Sequence, residues 1–568
     1  MAGGLLNLIA IGNQDLIVIG NPNKSFFKVT YNKYTNFGMQ KYRIDQTGQT
    51  NINLNSESKY TFKISRYGDL LLDTYLVLTL PNIWSPVLKY KIPESSSYEY
   101  RPYEFKWIKN IGTQIIKDIT ITIGGHIIQK FSGSYIQNTI ERDFSGEKKK
   151  IFDTMIGNIN ELTNPEKISN RNNNYPNAFK INDDDVEPSI YERQIFIPIN
   201  AWFTLLTTSA IPLVCLQYTD LEIHFTFRPL VELFTIKDIA YDVSNNPLNI
   251  DTNFYDNFPR IKANQSKDLR YAFHRFIQEP PIFDIVDEYI YENTNNNLNM
   301  DIHLLTTQCF LDNDERNFFS KHSQTYLIKE VQEYDFFKVN KSSKIKLESH
   351  GLVLNWMWHF QRNDVADRNE WSNYTNWEYE ENIPNNLIKL RDSDDNEIMY
   401  PYKKLYTNNN KNILITGNIP NDYEENNNKF IMRDFAIICD GKYREQQLPS
   451  GVFSMVENFS RNNSNSKDGL YHYSFSINND PYKYQPSGAF NTNKFKTIEF
   501  EFNTNFNPPL DLSNVTFSTI CDPITQEPIG VTKEPTSIYK YNYDLHIYEE
   551  KYNLLKFQSG TADLVYSR

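Results

Sequence analysis

Apolar residues recur at every second position along much of this chain. The run Leu76-Val77-Leu78-Thr79-Leu80 ends at Pro81, and Ile119-Thr120-Ile121-Thr122-Ile123 runs into Gly124-Gly125 before His126-Ile127-Ile128. The second of these predicts a hairpin closed by a two-residue glycine turn. Leu221, Ile223, Phe225 and Phe227 alternate with Glu222, His224 and Thr226 before Pro229, and Ile498, Phe500 and Phe502 alternate with Glu499 and Glu501. A period of two marks half-buried strands, one face on a core and one toward water. Helical periodicity is confined to short stretches near Tyr135–Asp143 and Asp314–Lys321.

Polar loops separate these runs. Asparagine dominates 170–177, 293–299, 408–412, 421–429 and 462–467. Segments so poor in apolar side chains cannot join a core and are expected on the surface. No internal repeat is visible as sequence. The clearest break lies within 236–260, where Pro247 and Pro259 sit among polar residues, and strand patterns resume at 302–311.

The chain opens differently. An interrupted apolar segment runs from Leu5 to Ile19, turns at Gly20-Asn21-Pro22 and continues into Phe26-Phe27-Lys28-Val29. This predicts an extended arm leading into a first strand. A signal peptide would need a basic start, and no Lys or Arg precedes Lys24. A spanning helix would need about 20 mostly apolar residues, and Asn7 and Asn13-Gln14-Asp15 interrupt this one. Such an arm is expected to pack on the base of its own subunit or on a neighbour, because exposed apolar surface of this extent is costly.

At 568 residues the chain is too long for one core, which predicts two domains. Its 38 Tyr and 37 Phe favour strands. A net charge of −12 argues against coating nucleic acid through a basic surface. Cys215, Cys309, Cys439 and Cys521 form no CxxC pair and are expected to be reduced and buried.

Candidate chemistry is sparse. Neither a GxxxxGK[ST] loop nor a GxGxxG or HExxH motif occurs. His350 and His359 bracket Trp356-Met357-Trp358 and read as strand histidines rather than ligands. Asp392, Asp394 and Asn396 begin like a calcium loop, but Glu397 stands where glycine is needed. Asp312-Asn313-Asp314-Glu315 fails the same test, and Asp183-Asp184-Asp185 reads as a solvated loop. Trp371, Tyr374 and Trp377 could stack on a sugar, but they read first as core and interface filler. The triplets Asn373-Tyr374-Thr375 and Asn514-Val515-Thr516 match the glycan acceptor pattern at a density that chance explains. No catalytic, cofactor-binding or metal-binding residue is predicted.

Several blocks resemble one family. Gly20-Asn21-Pro22, Phe26-Phe27-Lys28 and Thr35-Asn36-Phe37 are similar to the start of the major capsid proteins of the nucleocytoplasmic large DNA viruses, the mimivirus-like ones most closely. Ser25 stands where Thr is usual there, and Asn32-Lys33-Tyr34 replace Arg-Arg-His. Trp107–Gly112 with Ile123-Gly124-Gly125, Phe310-Leu311-Asp312 with Glu315-Arg316, Arg368–Tyr374, Tyr473–Ser476 with Gln485–Gly488, and Tyr552–Lys556 with Ser559-Gly560 continue the resemblance in order. Periodicity alone yields a mainly β chain with two domains.

The resemblance implies an all-β double jelly roll with long surface loops and a few short helices. Its parts would be an apolar arm at 1–24, a first jelly roll at 25–235, a linker region at 236–260 and a second jelly roll at 261–568. It also implies a homotrimer of six similar barrels, meeting neighbouring capsomers and minor capsid proteins in a virion assembled in the host cytoplasm. Proximity to an inner viral membrane is compatible with it. Direct nucleic-acid binding and a small-molecule substrate are not expected. The rivals are a minor capsid or scaffold-like paralogue and a β-sandwich protein that binds or cleaves carbohydrate. The last requires a cleft with paired carboxylates and stacking aromatics.

Overall fold

The computed structural model describes residues 3–566 except 49, 92–97, 169–170, 172–173, 177, 179–185, 238–270, 281–290, 292, 378, 381–386, 392–396, 402–405, 409–410, 414–428, 463, 465–466, 506–516, 522–527 and 534–540. Its main strands form two consecutive antiparallel sandwiches. The first contains β1 (Phe37–Asp45), β2 (Ser58–Lys63), β3 (Leu70–Leu80), β4 (Ile116–Ile123), β5 (His126–Ser132), β6 (Arg193–Pro198), β7 (Leu221–Phe227) and β8 (Ile302–Leu311). One sheet runs β1-β8-β3-β6 and the other β2-β7-β4-β5.

The second sandwich contains β9 (Gln324–Val339), β10 (Ser342–Leu347), β11 (Leu352–Arg362), β12 (Met432–Cys439), β13 (Lys442–Pro449), β14 (Leu470–Ser474), β15 (Ile498–Thr504) and β16 (Tyr543–Gln558). Its sheets run β9-β16-β11-β14 and β10-β15-β12-β13. Strand for strand, this is the order of the first sandwich. Two facing sheets with this crossing pattern are jelly rolls. A repeat unreadable as sequence is therefore explicit as topology.

The predicted alternation is real. Along both β7 and β15, buried and half-buried residues alternate without a break. The hairpin between β4 and β5 turns at Gly124 and Gly125, with φ of +59° and +83° and Ile123 paired with His126. Positive φ at both central residues is the type I′ signature. The second jelly roll repeats it between β12 and β13, where Asp440 and Gly441 have φ of +48° and +77°. The helices α1 (Gly133–Asp143) and α2 (Asn313–Lys321) lie where periodicity predicts them.

Three expectations are corrected. The strand β8, on the second-domain side of the 236–260 linker in the sequence reading, pairs with β1 and β3 in the first jelly roll. The eighth strand of a jelly roll returns over a long connection to lie beside the first, so a break in pattern before it is no domain boundary. Residues 238–260 of that linker lie outside the described residues. The arm is not extended: Gly3–Ile9 and Leu16–Ile19 are helical turns with no buried side chain. Regular pairing starts at Phe37 rather than near Phe26, so the first jelly roll begins later than residue 25.

The asparagines of the stretch 293–299 are exposed or half-buried, with Asn293 and Asn295 side chains accepting backbone N–H bonds from Asn295 and Asn297, but Leu298 among them enters the first core. The other asparagine runs lie partly outside the described residues. Asp183-Asp184-Asp185, Asp392–Asn396 and Asn514–Thr516 lie wholly outside them.

Candidate interaction surfaces

The two jelly rolls pack as one body. Ile328, Val331, Met357, Tyr374 and Tyr548 of the second join the apolar core of the first. This explains β11, which is buried at every residue from Val353 to Arg362. Trp356, Trp358 and Phe360 enter the second core, with Trp358 stacked on Phe435 at 4.2 Å between centroids. Asn355, Met357 and His359 point the other way, toward the first jelly roll. A strand with two covered faces loses its polar alternation.

The helix α1 makes the contact. Ser132 caps it by accepting the Tyr135 N–H at 3.2 Å. Ile136 and Ile140 anchor it in the first core, and Tyr135, Asn138 and Arg142 reach the second jelly roll. The Arg142 guanidinium donates to Glu550 Oε1 at 2.9 Å, to Asn355 Oδ1 at 3.0 Å and to the neighbouring Asp143 carboxylate. Asn355 Nδ2 and the Tyr135 hydroxyl donate to the Glu550 carboxylate at 2.8 and 2.9 Å.

Every member of this group is buried. Burial alone would lower the Arg142 pKa, but Asp143 and Glu550 outweigh it and hold the guanidinium charged. Burial likewise opposes ionisation of Glu550, yet Arg142 and Lys329 bring its pKa below the usual value. Asp143, with fewer donors, is pushed up by burial.

A clasp closes the junction from the opposite direction. Asn369 Nδ2 donates to the Val231 and Phe234 carbonyls, Trp371 Nε1 to the Glu232 carbonyl, and Asn110 Nδ2 to Ser372 Oγ. The Arg228 guanidinium lies 4.3 Å from the Trp371 ring centroid. The Tyr374 hydroxyl donates to Asn138 Oδ1 at 2.8 Å, and its ring stacks on His359 at 3.8 Å. Trp371 and Tyr374 therefore hold the two halves together.

The other singled-out residues disperse. His350 is exposed, and burial pushes the His359 pKa well below the ordinary value, so the two make no pair. Asp312, Asp314 and Glu315 sit at the N-terminus of α2, where carboxylates complement the helix dipole. Asn373 is buried, accepting from Thr375 and donating to the Trp377 carbonyl, so its triplet offers no glycan site. Cys309 and Cys439 are buried free thiols, and Cys215 is partly buried. Among the described residues, no three His, Cys, Asp or Glu side chains converge to hold a metal ion.

Among the described residues, one polar cavity, of about 630 Å³, is lined by Glu141, Glu380, Trp377 and several lysines. Both carboxylates meet lysines, Glu141 with Lys149 at 2.6 Å and Glu380 with Lys467 at 4.0 Å. The Lys429 ammonium lies 5.1 Å from the centre of the Trp377 ring.

Comparison with known proteins agrees with this architecture. Residues 25–265 match the model of the major capsid protein N-terminus, and residues 315–563 match that of the large eukaryotic DNA virus major capsid protein. The chain belongs to the major capsid proteins of large eukaryotic DNA viruses. It is 28% identical to capsid protein 1 of Acanthamoeba polyphaga mimivirus over 279 residues, 49% of this chain and 43% of that protein. To the major capsid protein of Chrysochromulina ericina virus it is 26% identical over 385 residues, 65% of this chain and 59% of that one. The matches thus span about half the length of these relatives. The Faustovirus major capsid protein shares the fold, with a TM-score of 0.59 at 11% identity over 94% of this chain and 93% of that one.

Among the described residues of this capsid protein, the most exposed apolar side chains lie in the arm, where Phe27 is 99% and Val29 90% exposed. A second apolar patch comprises Met455, Val456 and Phe459, on the segment that follows β13. Sequence reading missed this patch and the Arg142–Glu550 pair. The available signal was a short echo: Ser132-Gly133-Ser134-Tyr135 after β5 and Ser450-Gly451-Val452-Phe453 after β13. Among the described residues no helix is long and apolar enough to cross a membrane.

Proposed function

We propose that this capsid protein is a shell-building subunit, three copies of which close around a threefold axis into a six-barrelled tile of an icosahedral virion. The observation that carries the reading is the duplicated jelly roll, held as one rigid unit by the α1 interface. One such chain offers two similar barrels, and three make a near-hexagonal tile with closed symmetry. Tiles would join neighbouring capsomers and minor capsid proteins, with assembly in the host cytoplasm and the exposed arm covering apolar surface beneath the tile or on its neighbours. In this reading the chain is structural, with no catalytic centre, cofactor, metal or small-molecule substrate, and encloses nucleic acid without binding it.

Light scattering on the purified chain tests this directly. The expected native mass is about three times 66.9 kDa. A stable monomer whose melting temperature rises with added oligosaccharide would replace the capsid reading with the carbohydrate-binding one.

A further inference from the structure

One lysine of the first jelly roll is buried beside both a carboxylate and a side-chain amide. Lys106 stands in the middle of the short strand Phe105–Trp107, which pairs with Phe234–Ile236, and both its chain neighbours enter the first core. Its side chain is 6% exposed. The Nζ forms an ion pair with Glu166 and donates to Asn164 Oδ1 at 3.2 Å. Both partners come from one corner of the fold. Asn164 ends the helical turn Asn160–Thr163, and the 3₁₀ turn Pro165–Lys167 carries Glu166. Leu162 and Pro165, before and after Asn164 in the chain, are buried.

This is more than an ion pair needs. An amine, an amide carbonyl and a carboxylate able to carry a proton are the parts of an amide exchange. Burying an ion pair is costly, and passing one ammonium proton to Glu166 leaves a neutral amine beside a neutral acid. The hydrogen bond to Asn164 already holds Nζ against the amide group it would attack, so the entropy of bringing the two together is spent in folding. A competing fate of Asn164 is closed. Asparagine deamidates when the following backbone nitrogen attacks its side-chain carbonyl, and Pro165 has no N–H with which to do so.

We propose that Lys106 and Asn164 join in an intramolecular isopeptide bond, with Glu166 as the proton carrier. Nζ, having passed one proton to Glu166, bonds to Asn164 Cγ. Glu166 gives that proton to Nδ2 and takes a second from Nζ as the Cγ–Nδ2 bond breaks. The nitrogen leaves as ammonia and carries the second proton into solvent as ammonium, which returns Glu166 to a carboxylate. Nothing is oxidised or reduced, and no outside reactant is consumed. The joined residues stand 58 apart, and the loop they close contains β4, β5 and α1. The bond therefore staples the segment that carries the joint between the jelly rolls. Such a loop restricts the unfolded chain as a disulfide does, and it resists reduction. The reaction occurs once per chain on its own side chains, and it is independent of the trimer reading above.

Intact mass spectrometry of the purified, denatured chain tests the bond. The parent is expected to weigh one ammonia less than its sequence. Trypsin should fail to cut after Lys106, and the digest should contain one branched peptide holding Lys106 and Asn164. Asn164→Ala and Glu166→Gln chains, the second keeping both the amine and the amide, are expected at full sequence mass with the cut after Lys106 restored. Near-ultraviolet circular dichroism matching the parent's establishes that they fold, and the parent's own mass decides the bond whether or not they do. A parent at full sequence mass overturns the proposal, and so does an ammonia loss that digestion places elsewhere. A folded Glu166→Gln chain that loses ammonia as completely as the parent overturns the role given to Glu166.

Discussion

Arg142 and Glu550 stand 408 residues apart in sequence and meet at 2.9 Å in a buried interface. Neither charge could be buried alone. The guanidinium brings its partner Asn355 and the carboxylate its donor Tyr135, so the joint between the jelly rolls is a satisfied network rather than a lone pair. Removing Arg142 leaves the Glu550 and Asp143 carboxylates buried without their guanidinium, though Asn355 and Tyr135 still donate to Glu550. Arg142→Ala is therefore expected to destabilise the chain by about 3–5 kcal/mol. Arg142→Met combined with Glu550→Gln should recover part of that loss. Chemical denaturation of the three variants measures it, and an Arg142→Ala chain as stable as the parent would remove the network from the account.

Glu333 links the two halves through its carboxylate. Its Oε1 accepts the Ser132 N–H at 2.7 Å, and burial pushes its pKa from 4.5 to about 7. A carboxyl whose pKa is higher folded than unfolded binds more protons in the folded state, so stability falls as pH rises from about 4.5 to 7. The loss is roughly 2 kcal/mol once partial exposure is discounted. Glu333→Gln keeps an acceptor for Ser132 and should flatten that slope, gaining over the parent at pH 8 and not at pH 4. Melting curves at the two pH values decide it, and parallel slopes would refute the assignment.

The β4–β5 turn should tolerate asparagine but not a branched residue. At Gly125 an added Cβ meets nothing within 4 Å, so the cost of Gly125→Val comes from φ alone, about 1–3 kcal/mol. At Gly124 the added Cβ would lie 2.8 Å from Thr219 Cγ2, so Gly124→Val should cost more than Gly125→Val. Gly125→Asn should cost least of the three. A different ranking of the denaturation midpoints would mean the turn is not type I′.

Deleting residues 1–34 should leave both cores intact, because every described side chain in that stretch is exposed. The truncated chain is expected to melt within a degree or two of the parent and to fail in particle assembly. Normal particle counts by electron microscopy would deprive the arm of its proposed role.

Alternation of apolar residues in β4, β7 and β15, the glycine turn, and the short helices α1 and α2 were all legible in the sequence. Each depends on neighbours close along the chain or on one buried face, and such constraints write themselves at a fixed period. The family resemblance was legible for the same local reason, as short strings in order. The hairpin at Asp440-Gly441 could have been read too, since aspartate before glycine is a turn signal.

What tertiary structure alone decided is everything that joins distant segments. β8 carries no mark of pairing with β1, because hydrogen bonds between backbones leave no imprint on side-chain type. The run Trp356-Met357-Trp358 could not reveal that one side serves the second core and the other the first, since a strand covered on both faces has no polar period. Beyond the short echo after β5 and β13, the sequence does not display the duplication of the jelly roll. Its strand order persists while the side chains that fill it have changed: Phe453 enters the second core from a π-helical turn at the place where Ile136 enters the first from an α-helix. Local sequence determined the strands and turns, and packing between segments hundreds of residues apart determined how the two sandwiches join.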